Sequence, residues 1–320
     1  MTEPITEAYL TKSILFFSEF DDPKKWRDLL ECGLPQFRVE CWPEIKDPSD
    51  VEYAVVWNPP RDCFKSLVNI KAIFSLGAGV DSLLTDDSIP ADIPIVRLLD
   101  AGLARQMSHY AIYGVLHFQR QFFEYRRLQV QEKWSPLPVT LANSFTVGVL
   151  GFGTIGRVIA SDLENLGFPV IGWANSSKSD VDAEVHVGVT ELDDFLASSQ
   201  LVINVLPLTA ETRGLCDERF FGRMRPGSYF INLGRGGHVI ESDLEKAIDS
   251  GRLAGAMLDV FASEPLSPKS SFWKRESVLI TPHISGVTLA EEASDQIISN
   301  ICLIESGQPP NGVVDRVRGY

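Results

Sequence analysis

The feature that most constrains this chain is a glycine-rich segment between a predicted strand and a predicted helix. Gly151, Gly153 and Gly156 form the pattern G-x-G-x-x-G directly after the apolar run Thr146–Leu150. In a β-α-β unit the first glycine permits a tight turn, the second lets a pyrophosphate approach the backbone, and the third allows close helix–strand packing. The segment therefore predicts a dinucleotide-binding site at a helix N-terminus, although a flexible turn is the plainer interpretation.

Short apolar runs alternate with helix-like stretches on both sides of this segment, a pattern typical of β-α-β units in parallel sheets. The runs are rich in β-branched residues and do not alternate cleanly with polar ones, which favours strands covered on both faces. After residue 145 the predicted strands are Thr146–Leu150, Val170–Trp173, Leu201–Leu206, Tyr229–Leu233, Ala256–Val260 and Val278–Thr281. Before it they are Ser13–Phe17, Ala54–Trp57, Ala72–Ser75 and Ile95–Arg97. The fold class is therefore α/β.

Helix boundaries are marked by capping patterns and glycines. Ser242–Glu245 and Thr288–Glu291 match the capping box S/T-x-x-E, which predicts two helix starts. Gly251 and Gly307 stand where those helices should end.

The middle of the chain contains a long helical pattern followed by an irregular segment. Apolar residues at helical spacing predict one helix from about Leu103 to Gln129. Two prolines then make Trp134–Pro138 an irregular arm.

Length and composition narrow the class of protein. The 320 residues are enough for two domains. The 43 acidic and 29 basic side chains give a net charge of -14, which disfavours nucleic acid and anionic membranes as partners. No apolar run reaches membrane-spanning length and the N-terminus lacks a signal-peptide pattern, so we expect a cytoplasmic protein. The five cysteines are scattered, so we expect reduced thiols and no metal site.

The segment after the strand Val170–Trp173 bears on the choice of dinucleotide. NAD-binding sites usually place a carboxylate there to bind the ribose hydroxyls. This chain instead has amide, hydroxyl and ammonium groups: Asn175, Ser176, Ser177 and Lys178. Because nothing there repels a 2′-phosphate, NADP(H) is favoured. An ordinary polar loop is the alternative, and a shifted alignment using Asp180 or Asp182 would restore a preference for NAD.

Three residues with catalytic potential follow successive predicted strands, where ligands bind to open parallel sheets. Arg235 can hold the carboxylate and carbonyl of a 2-ketoacid with its planar guanidinium. His283 can donate a proton near neutral pH, and Glu264 would favour its charged form. Taken singly, the arginine could cap a helix, the glutamate could belong to a turn, and the histidine could be a buried hydrogen-bonding residue.

Other polar features have less specific meanings. The segment Ser75–Asp81 contains two glycines after a strand, which could expose amides to an anionic substrate or form a plain turn. The remaining histidines are left without a role: His109, His117, His186 and His238.

Together these segments resemble the D-2-hydroxyacid dehydrogenase family, most closely its glyoxylate/hydroxypyruvate reductase A branch, over nearly the whole chain. The matching stretches are Leu76–Asp81, Gln106–Met107, Trp134–Pro138, Val149–Gly156, Asn204–Thr209, Asn232–Gly236, Leu258–Phe261 with Glu264–Pro265, and Thr281–Ile284.

The resemblance implies roles for particular residues. Arg235, Glu264 and His283 would be catalytic, and Trp57, Ala78, Gly79 and Arg235 would bind the substrate, with packing as the rival role for the tryptophan. Implied cofactor-binding residues are Gly151, Gly153, Thr154, Ile155, Gly156, Asn175, Ser176, Ser177, Lys178, Leu206, Pro207, Thr212, Leu233, Gly234 and Asp259. Among these, Asp259 would orient the nicotinamide amide and Thr212 would lie near the phosphates. The branch typically has arginines after the second strand, and their absence here leaves NAD(H) as an additional cofactor.

The resemblance also implies two Rossmann-like domains with an active-site cleft between them. Residues 1–103 and 284–320 would form a discontinuous, flavodoxin-like substrate domain, and residues 104–283 the dinucleotide-binding domain. Family members are usually homodimers joined through the nucleotide domains, with the arm around Trp134 reaching the neighbouring subunit.

The predicted function is reduction of small 2-ketoacids, such as glyoxylate and hydroxypyruvate, to glycolate and D-glycerate by NADPH. One alternative is an NAD-linked dehydrogenase for a bulkier 2-ketoacid. The other is a dinucleotide-sensing binding protein without turnover.

Overall fold

The computed structural model describes residues 12–176 and 183–320. The chain divides into two compact units. The first unit consists of the residues up to Gly102 together with Thr288–Tyr320, and the second unit consists of Leu103–Val287.

The secondary structure alternates between strands and helices along the described chain. In chain order, the strands are β1 (Ser13–Phe17), β2 (Arg38–Cys41), β3 (Val51–Val56), β4 (Ala72–Ser75), β5 (Ile95–Arg97), β6 (Val147–Leu150), β7 (Val170–Ala174), β8 (Val185–Val187), β9 (Leu201–Asn204), β10 (Ser228–Asn232), β11 (Leu253–Leu258) and β12 (Val278–Ile280). The helices are α1 (Pro23–Gly33), α2 (Asp81–Leu84), α3 (Leu103–Gln119), α4 (Phe122–Val130), α5 (Thr154–Asn165), α6 (Leu192–Ser198), α7 (Glu218–Arg223), α8 (Glu241–Asp249) and α9 (Ala290–Glu305).

The first unit contains a parallel sheet in the order β2-β1-β3-β4-β5, which is the flavodoxin-like order. Helix α1 begins where Asp22 accepts a hydrogen bond from the Lys24 amide and Pro23 takes the first helical position. Trp26 and Leu30, one helical turn apart, are buried against one face of the sheet together with apolar residues of α9. A separate apolar cluster covers the opposite face.

The second unit contains a parallel sheet in the order β12-β11-β10-β9-β6-β7-β8. The strand order reverses between β6 and β9, and ligands bind at such a reversal in open α/β sheets. Helices α3 and α5 pack against each other, and the apolar residues of both belong to the cluster that covers one face of this sheet. Both sheets are parallel and covered by apolar clusters, so the predicted α/β class is confirmed.

Every strand predicted from the sequence is present, with ends that differ by at most a few residues. The sequence did not predict β2 and β8, which form an edge of their sheets. Strand β2 alternates charged and apolar residues, and β8 is only three residues long, so neither has the apolar run that marked the central strands.

The prediction of one helix from Leu103 to Gln129 is wrong. Helix α3 ends at Gln119 and α4 begins at Phe122, because the intervening Gln121 takes a left-handed backbone conformation with φ of 56°. The irregular segment Trp134–Pro138 is confirmed, since it contains no helix or strand.

The capping boxes are also wrong, although the helices exist. Helix α8 begins at Glu241, so Ser242 lies inside its first turn and makes no cap. Helix α9 begins at Ala290, and the Thr288 hydroxyl donates instead to the Leu76 carbonyl. The predicted stops are confirmed, because Gly251 and Gly307 follow the two helix ends with left-handed φ angles of 73° and 76°. Among the described residues, no helix combines the length and apolar character needed to cross a membrane.

Candidate active site

The glycine-rich segment connects β6 to α5 in the second unit. Gly151 has a φ of 111°, and a side chain there would meet the Val205 backbone at 2.9 Å. A β-carbon at Gly156 would lie 2.0 Å from the Gly151 carbonyl oxygen, so the third glycine is required for close packing. Gly153 forms the N-cap of α5 without a side-chain cap, and a β-carbon there would meet nothing within 4 Å. The backbone at the start of α5 is therefore open to a phosphate.

The loops beside this segment contain most of the other predicted cofactor residues. Asn175 and Ser176 are exposed directly after β7. Ser177, Lys178, Asp180 and Asp182 lie outside the residues that the structure describes. After β9, Leu206 is buried and Pro207 is exposed. The Thr212 hydroxyl donates to the Pro207 carbonyl at 2.7 Å and accepts from the Thr209 amide, so it closes this loop on itself.

The three predicted catalytic residues follow three adjacent strands. Arg235 comes after β10, Glu264 after β11 and His283 after β12, and these strands are neighbours at one end of the sheet order. Because the carboxyl ends of parallel strands share one edge of the sheet, the topology brings the three loops together.

His283 and Glu264 form a direct pair. The Nδ1 atom of His283 lies 2.8 Å from Oε2 of Glu264, and the other carboxylate oxygen accepts from the Phe261 amide at 2.9 Å. Burial opposes the charge of Glu264, but the bonds from His283 and Phe261, with the charges of His283 and Arg235, together lower the pKa of this carboxyl group. The glutamate is therefore ionised at neutral pH and holds the imidazole through Nδ1.

Arg235 is placed by a tight contact between two loops. A β-carbon at Gly236 would lie 1.8 Å from the Phe261 backbone, so the loop after β10 packs directly on the loop after β11. The Arg235 guanidinium donates to the Gly234 carbonyl at 2.9 Å, and its charge contributes to the lowered pKa of Glu264. The guanidinium and the His283–Glu264 pair thus belong to loops at the same edge of the second sheet.

Asp259 holds the loop that presents His283. It is fully buried, and its carboxylate accepts from the Ile284 and Ser285 amides at 2.8 Å each and from the Thr281 hydroxyl at 2.6 Å. Its backbone carbonyl accepts from the His283 amide at 2.8 Å. These bonds keep His283 at a φ of 57°, a conformation that non-glycine residues adopt mainly where the surroundings impose it.

The predicted substrate residues of the first unit lie at the ends of adjacent strands β3 and β4. Trp57 packs on Gly77, where a β-carbon would lie 1.7 Å from the indole ring. Ala78 is exposed and Gly79 is partly exposed, and the Ser75 hydroxyl contacts the carbonyls of Gly77 and Gly79 at 3.3 and 3.2 Å. The structure therefore brings the indole next to the backbone predicted to bind an anion.

Comparison with known proteins decides the family. Residues 112–285 match the family described as "D-isomer specific 2-hydroxyacid dehydrogenase, NAD binding domain". A glyoxylate/hydroxypyruvate reductase A from Serratia proteamaculans is 41% identical over 313 residues, covering 96% of this chain and 100% of that protein. The chain belongs to the D-isomer specific 2-hydroxyacid dehydrogenases. This confirms the resemblance found in the sequence.

Two crystal structures agree with this assignment to the D-isomer specific 2-hydroxyacid dehydrogenases. A family member from Xanthobacter autotrophicus Py2 in complex with NADPH and MES has a TM-score of 0.92 and 36% identity, covering 97% of this chain and 99% of that one. An NADPH-dependent glyoxylate/hydroxypyruvate reductase from Sinorhizobium meliloti in complex with NADP and sulfate has a TM-score of 0.90 and 35% identity, covering 97% and 100%.

The packing and hydrogen-bonding roles of several residues near these loops were not predicted from the sequence. Gly77 and Gly236 matter because of what packs on them, and their partners are distant in the chain. Asn204 and Asn232 are fully buried at the ends of β9 and β10, and His238 is fully buried in the loop after β10. The sequence does show a polar residue at the end of each of these apolar strands. It does not show which loop the polar side chain binds. In the described ranges no cluster of three or more His, Cys, Asp or Glu side chains could hold a metal.

Proposed function

We propose that this chain is an NADPH-preferring reductase of small 2-ketoacids such as glyoxylate and hydroxypyruvate, which it converts to glycolate and D-glycerate. The decisive observation is the 2.8 Å contact between His283 and Glu264 beside the charge of Arg235, at adjacent strand ends of the unit that contains the glycine-rich segment. The names of the relatives from Serratia and Sinorhizobium support the same substrates.

The glycine-rich segment would hold the pyrophosphate of the cofactor at the start of α5. This assignment is supported by the open backbone at Gly153 and by the close packing at Gly151 and Gly156. The other groups that would line the cofactor are Thr154, Ile155, Leu206, Pro207, Thr212, Leu233, Gly234 and Asp259. When bound, the nicotinamide supplies the hydride that reduces C2 of the ketoacid.

The 2′-phosphate would bind the segment after β7. Asn175 and Ser176 are exposed there, and the following Ser177 and Lys178 add a hydroxyl and an ammonium group. No carboxylate occurs in these four positions, so a phosphate meets no repulsion. A single lysine attracts the 2′-phosphate more weakly than a pair of arginines would, so the preference for NADPH is expected to be incomplete. NADH should therefore also be used, with slower turnover.

Three side chains would bind the substrate and transfer the proton: Arg235, His283 and Glu264. Arg235 would hold the substrate carboxylate and carbonyl oxygen through its planar fork, and His283 would donate a proton from Nε2 to that oxygen. Glu264 would stabilise the imidazolium before the transfer, since its pKa is lowered and it is ionised at neutral pH.

The first unit would act as the substrate domain and the second as the dinucleotide-binding domain. The Ala78 and Gly79 amides would bind the substrate carboxylate, and Trp57 would limit the size of the group on C2. The contact of Trp57 with Gly77 supports this role, because it fixes the indole beside that backbone.

We also propose a cytoplasmic homodimer joined through the second unit. The arm Trp134–Pro138 and the residues on either side of it expose large apolar side chains, with Trp134 completely exposed and Val130 and Val139 mostly so. A second copy would cover this surface. Light scattering would give twice the chain mass if this is right, and the mass of one chain if it is wrong.

The experiment that tests the proposed activity is a panel of 2-ketoacids with each cofactor. Oxidation of NADPH and NADH would be followed with glyoxylate, hydroxypyruvate, pyruvate and phenylpyruvate. We expect the highest kcat/KM for glyoxylate or hydroxypyruvate with NADPH. A preference for phenylpyruvate with NADH would instead indicate a dehydrogenase for bulkier acids. Tight NADPH binding without any oxidation would leave only a nucleotide-sensing protein.

A further inference from the structure

Three fully buried polar side chains meet at the ends of β9 and β10, next to the proposed active site. They are Asn204, Asn232 and His238, and none of them is exposed to solvent. Polar side chains buried in this way destabilise the fold unless hydrogen bonds satisfy them, so the partners of each indicate what the group holds.

The two asparagines connect the strands to the loops that follow. Asn204 donates to the side-chain oxygen of Asn232 at 2.9 Å and accepts from the Leu206 amide at 3.2 Å. Asn232 accepts from the Gly234 amide and donates to the Arg235 carbonyl, both at 3.2 Å. Each asparagine thus holds the first residues of its own loop.

His238 connects the two loops to each other. The Arg235 amide donates to Nδ1 of the imidazole at 3.1 Å, and the Asn204 side-chain amide lies 3.0 Å from the same atom. On the other side of the ring, Nε2 lies 3.2 Å from the Pro207 carbonyl oxygen.

These neighbours determine the tautomer of the ring. Because two N–H groups face Nδ1 and a carbonyl faces Nε2, we assign Nδ1 as the acceptor and place the proton on Nε2. The Arg235 carbonyl oxygen also lies 2.9 Å from Nδ1. It accepts hydrogen bonds from the backbone amide of His238 and from the side-chain amide of Asn232 instead. The imidazole therefore accepts from the Arg235 loop and donates to the Pro207 loop.

We propose that His238 is a positioning residue that couples the substrate-binding Arg235 to the cofactor-binding loop at Pro207. This inference rests on the proposed function, which assigns the arginine to the ketoacid and the proline to the lining of the NADPH site. The neutral ring fixes the backbone of both loops from one buried point. Loss of the Nδ1 contact should weaken binding of the ketoacid more than binding of NADPH. Loss of the Nε2 contact should weaken binding of NADPH more.

Two substitutions separate the halves of the ring. His238→Asn keeps an acceptor near the position of Nδ1 and loses the donor to Pro207. His238→Gln keeps a donor near the position of Nε2 and loses the acceptor for the Arg235 amide. Val239→Ala is the matched control, because Val239 is also buried beside these loops and its truncation removes apolar volume without touching the polar contacts.

The measurements are the dissociation constant for NADPH, from nicotinamide fluorescence, and the KM and kcat for the ketoacid at saturating NADPH. For His238→Asn we expect NADPH binding to weaken about tenfold while KM changes less than about twofold, in line with the loss of one buried hydrogen bond. For His238→Gln we expect the reverse, with KM raised about tenfold and NADPH affinity close to wild type. Val239→Ala should leave both constants near wild type while lowering the midpoint of urea unfolding.

Equal losses of both constants in the two variants, matched by Val239→Ala, would show a merely structural role and overturn the proposal. The wild-type protein offers a second test that needs no substitution. Nitrogen NMR of ¹⁵N-histidine-labelled enzyme should show a ring with protonated Nε2 and unprotonated Nδ1 that is absent from His238→Gln, and the opposite tautomer would contradict the coupling. A wild-type enzyme that binds NADPH but reduces no ketoacid would instead reject the proposed function, leaving the NADPH arm of this test intact.

Discussion

In the second unit the loops after the strands are held by networks of buried side-chain hydrogen bonds, whereas in the first unit the loop after β4 has the Ser75 hydroxyl and an indole ring lying on a glycine. Asp259 and His238 are fully buried and each binds backbone groups of loops with proposed catalytic or cofactor roles. Trp57 and Gly77 make a contact of shape alone. The difference matches the proposed division of labour, because proton transfer requires fixed polar groups and selection by size requires a fixed wall.

The largest effect is expected from His283→Ala, which removes the proposed proton donor and leaves the loops of the second unit in place. Turnover should fall by roughly 10²- to 10⁴-fold because the lost group acts in the transition state. NADPH affinity measured by fluorescence should stay within about twofold of wild type. His109→Ala, at an exposed position of α3, is the matched histidine control and should keep full activity.

Unchanged turnover in His283→Ala would remove this histidine from the mechanism. An equal loss in His109→Ala would show that the assay reports folding rather than chemistry.

Asp259→Asn tests whether polar anchoring matters in the second unit. One carboxylate oxygen would be replaced by an NH2 group that faces backbone N–H donors, and an unsatisfied buried group destabilises by about 1–3 kcal/mol. We expect a kcat lower by about 10- to 100-fold, since His283 would leave its constrained backbone conformation. Steady-state kinetics and urea unfolding measure the two effects. A stable variant with wild-type kcat would show that the bonds to Ile284 and Ser285 do not place the histidine.

Gly77→Ala tests the shape contact in the first unit. The added methyl would overlap the Trp57 ring, so the indole must move, and such overpacking destabilises by about 1–3 kcal/mol. We expect KM for glyoxylate to rise about tenfold with little change in NADPH affinity. Adding Trp57→Leu should restore stability by making room for the methyl. A single variant with wild-type KM would mean that the indole does not shape the substrate site.

The smallest effect is expected at the amino-terminal ends of the strands of the first sheet. There the Glu305 carboxylate pairs with Lys71 at 2.7 Å and with Lys12 at 3.2 Å, and it accepts a hydrogen bond from the Tyr53 hydroxyl at 2.8 Å. Although burial opposes it, these bonds lower the pKa of Glu305 to about 2. A lowered pKa stabilises the fold above the ordinary glutamate pKa of about 4.5, and this is lost as the pH falls toward about 2.

Glu305→Gln should therefore reduce the free energy of unfolding by about 1 kcal/mol at neutral pH, allowing for the partial exposure of the group. The difference from wild type should shrink in acid and in high salt. Urea unfolding at several pH values measures it. A difference that grows as the pH falls would have the wrong sign for this network.

The elements that could be predicted from the sequence are those whose local pattern has one physical meaning. The central strands, the glycine-rich segment and the strand-end residues Arg235, Glu264 and His283 were predicted because apolar runs and strand ends are visible in the chain. Edge strands β2 and β8 lack such runs.

One failure has a local cause, and others arise from contacts between residues distant in the sequence. The break at Gln121 depends on a single left-handed residue, and the capping function of Thr288 is lost to a bond with Leu76. The role of His238 becomes visible only when the Pro207 and Arg235 loops are seen on either side of its ring.

The most direct test of the account follows the transferred hydrogen. Hydroxypyruvate would be reduced with NADPH that carries deuterium at both hydrogen positions of C4 of the nicotinamide, and the product would be analysed by mass spectrometry and chiral chromatography. The account predicts D-glycerate with one deuterium at C2. Product without the label, or L-glycerate, would contradict it.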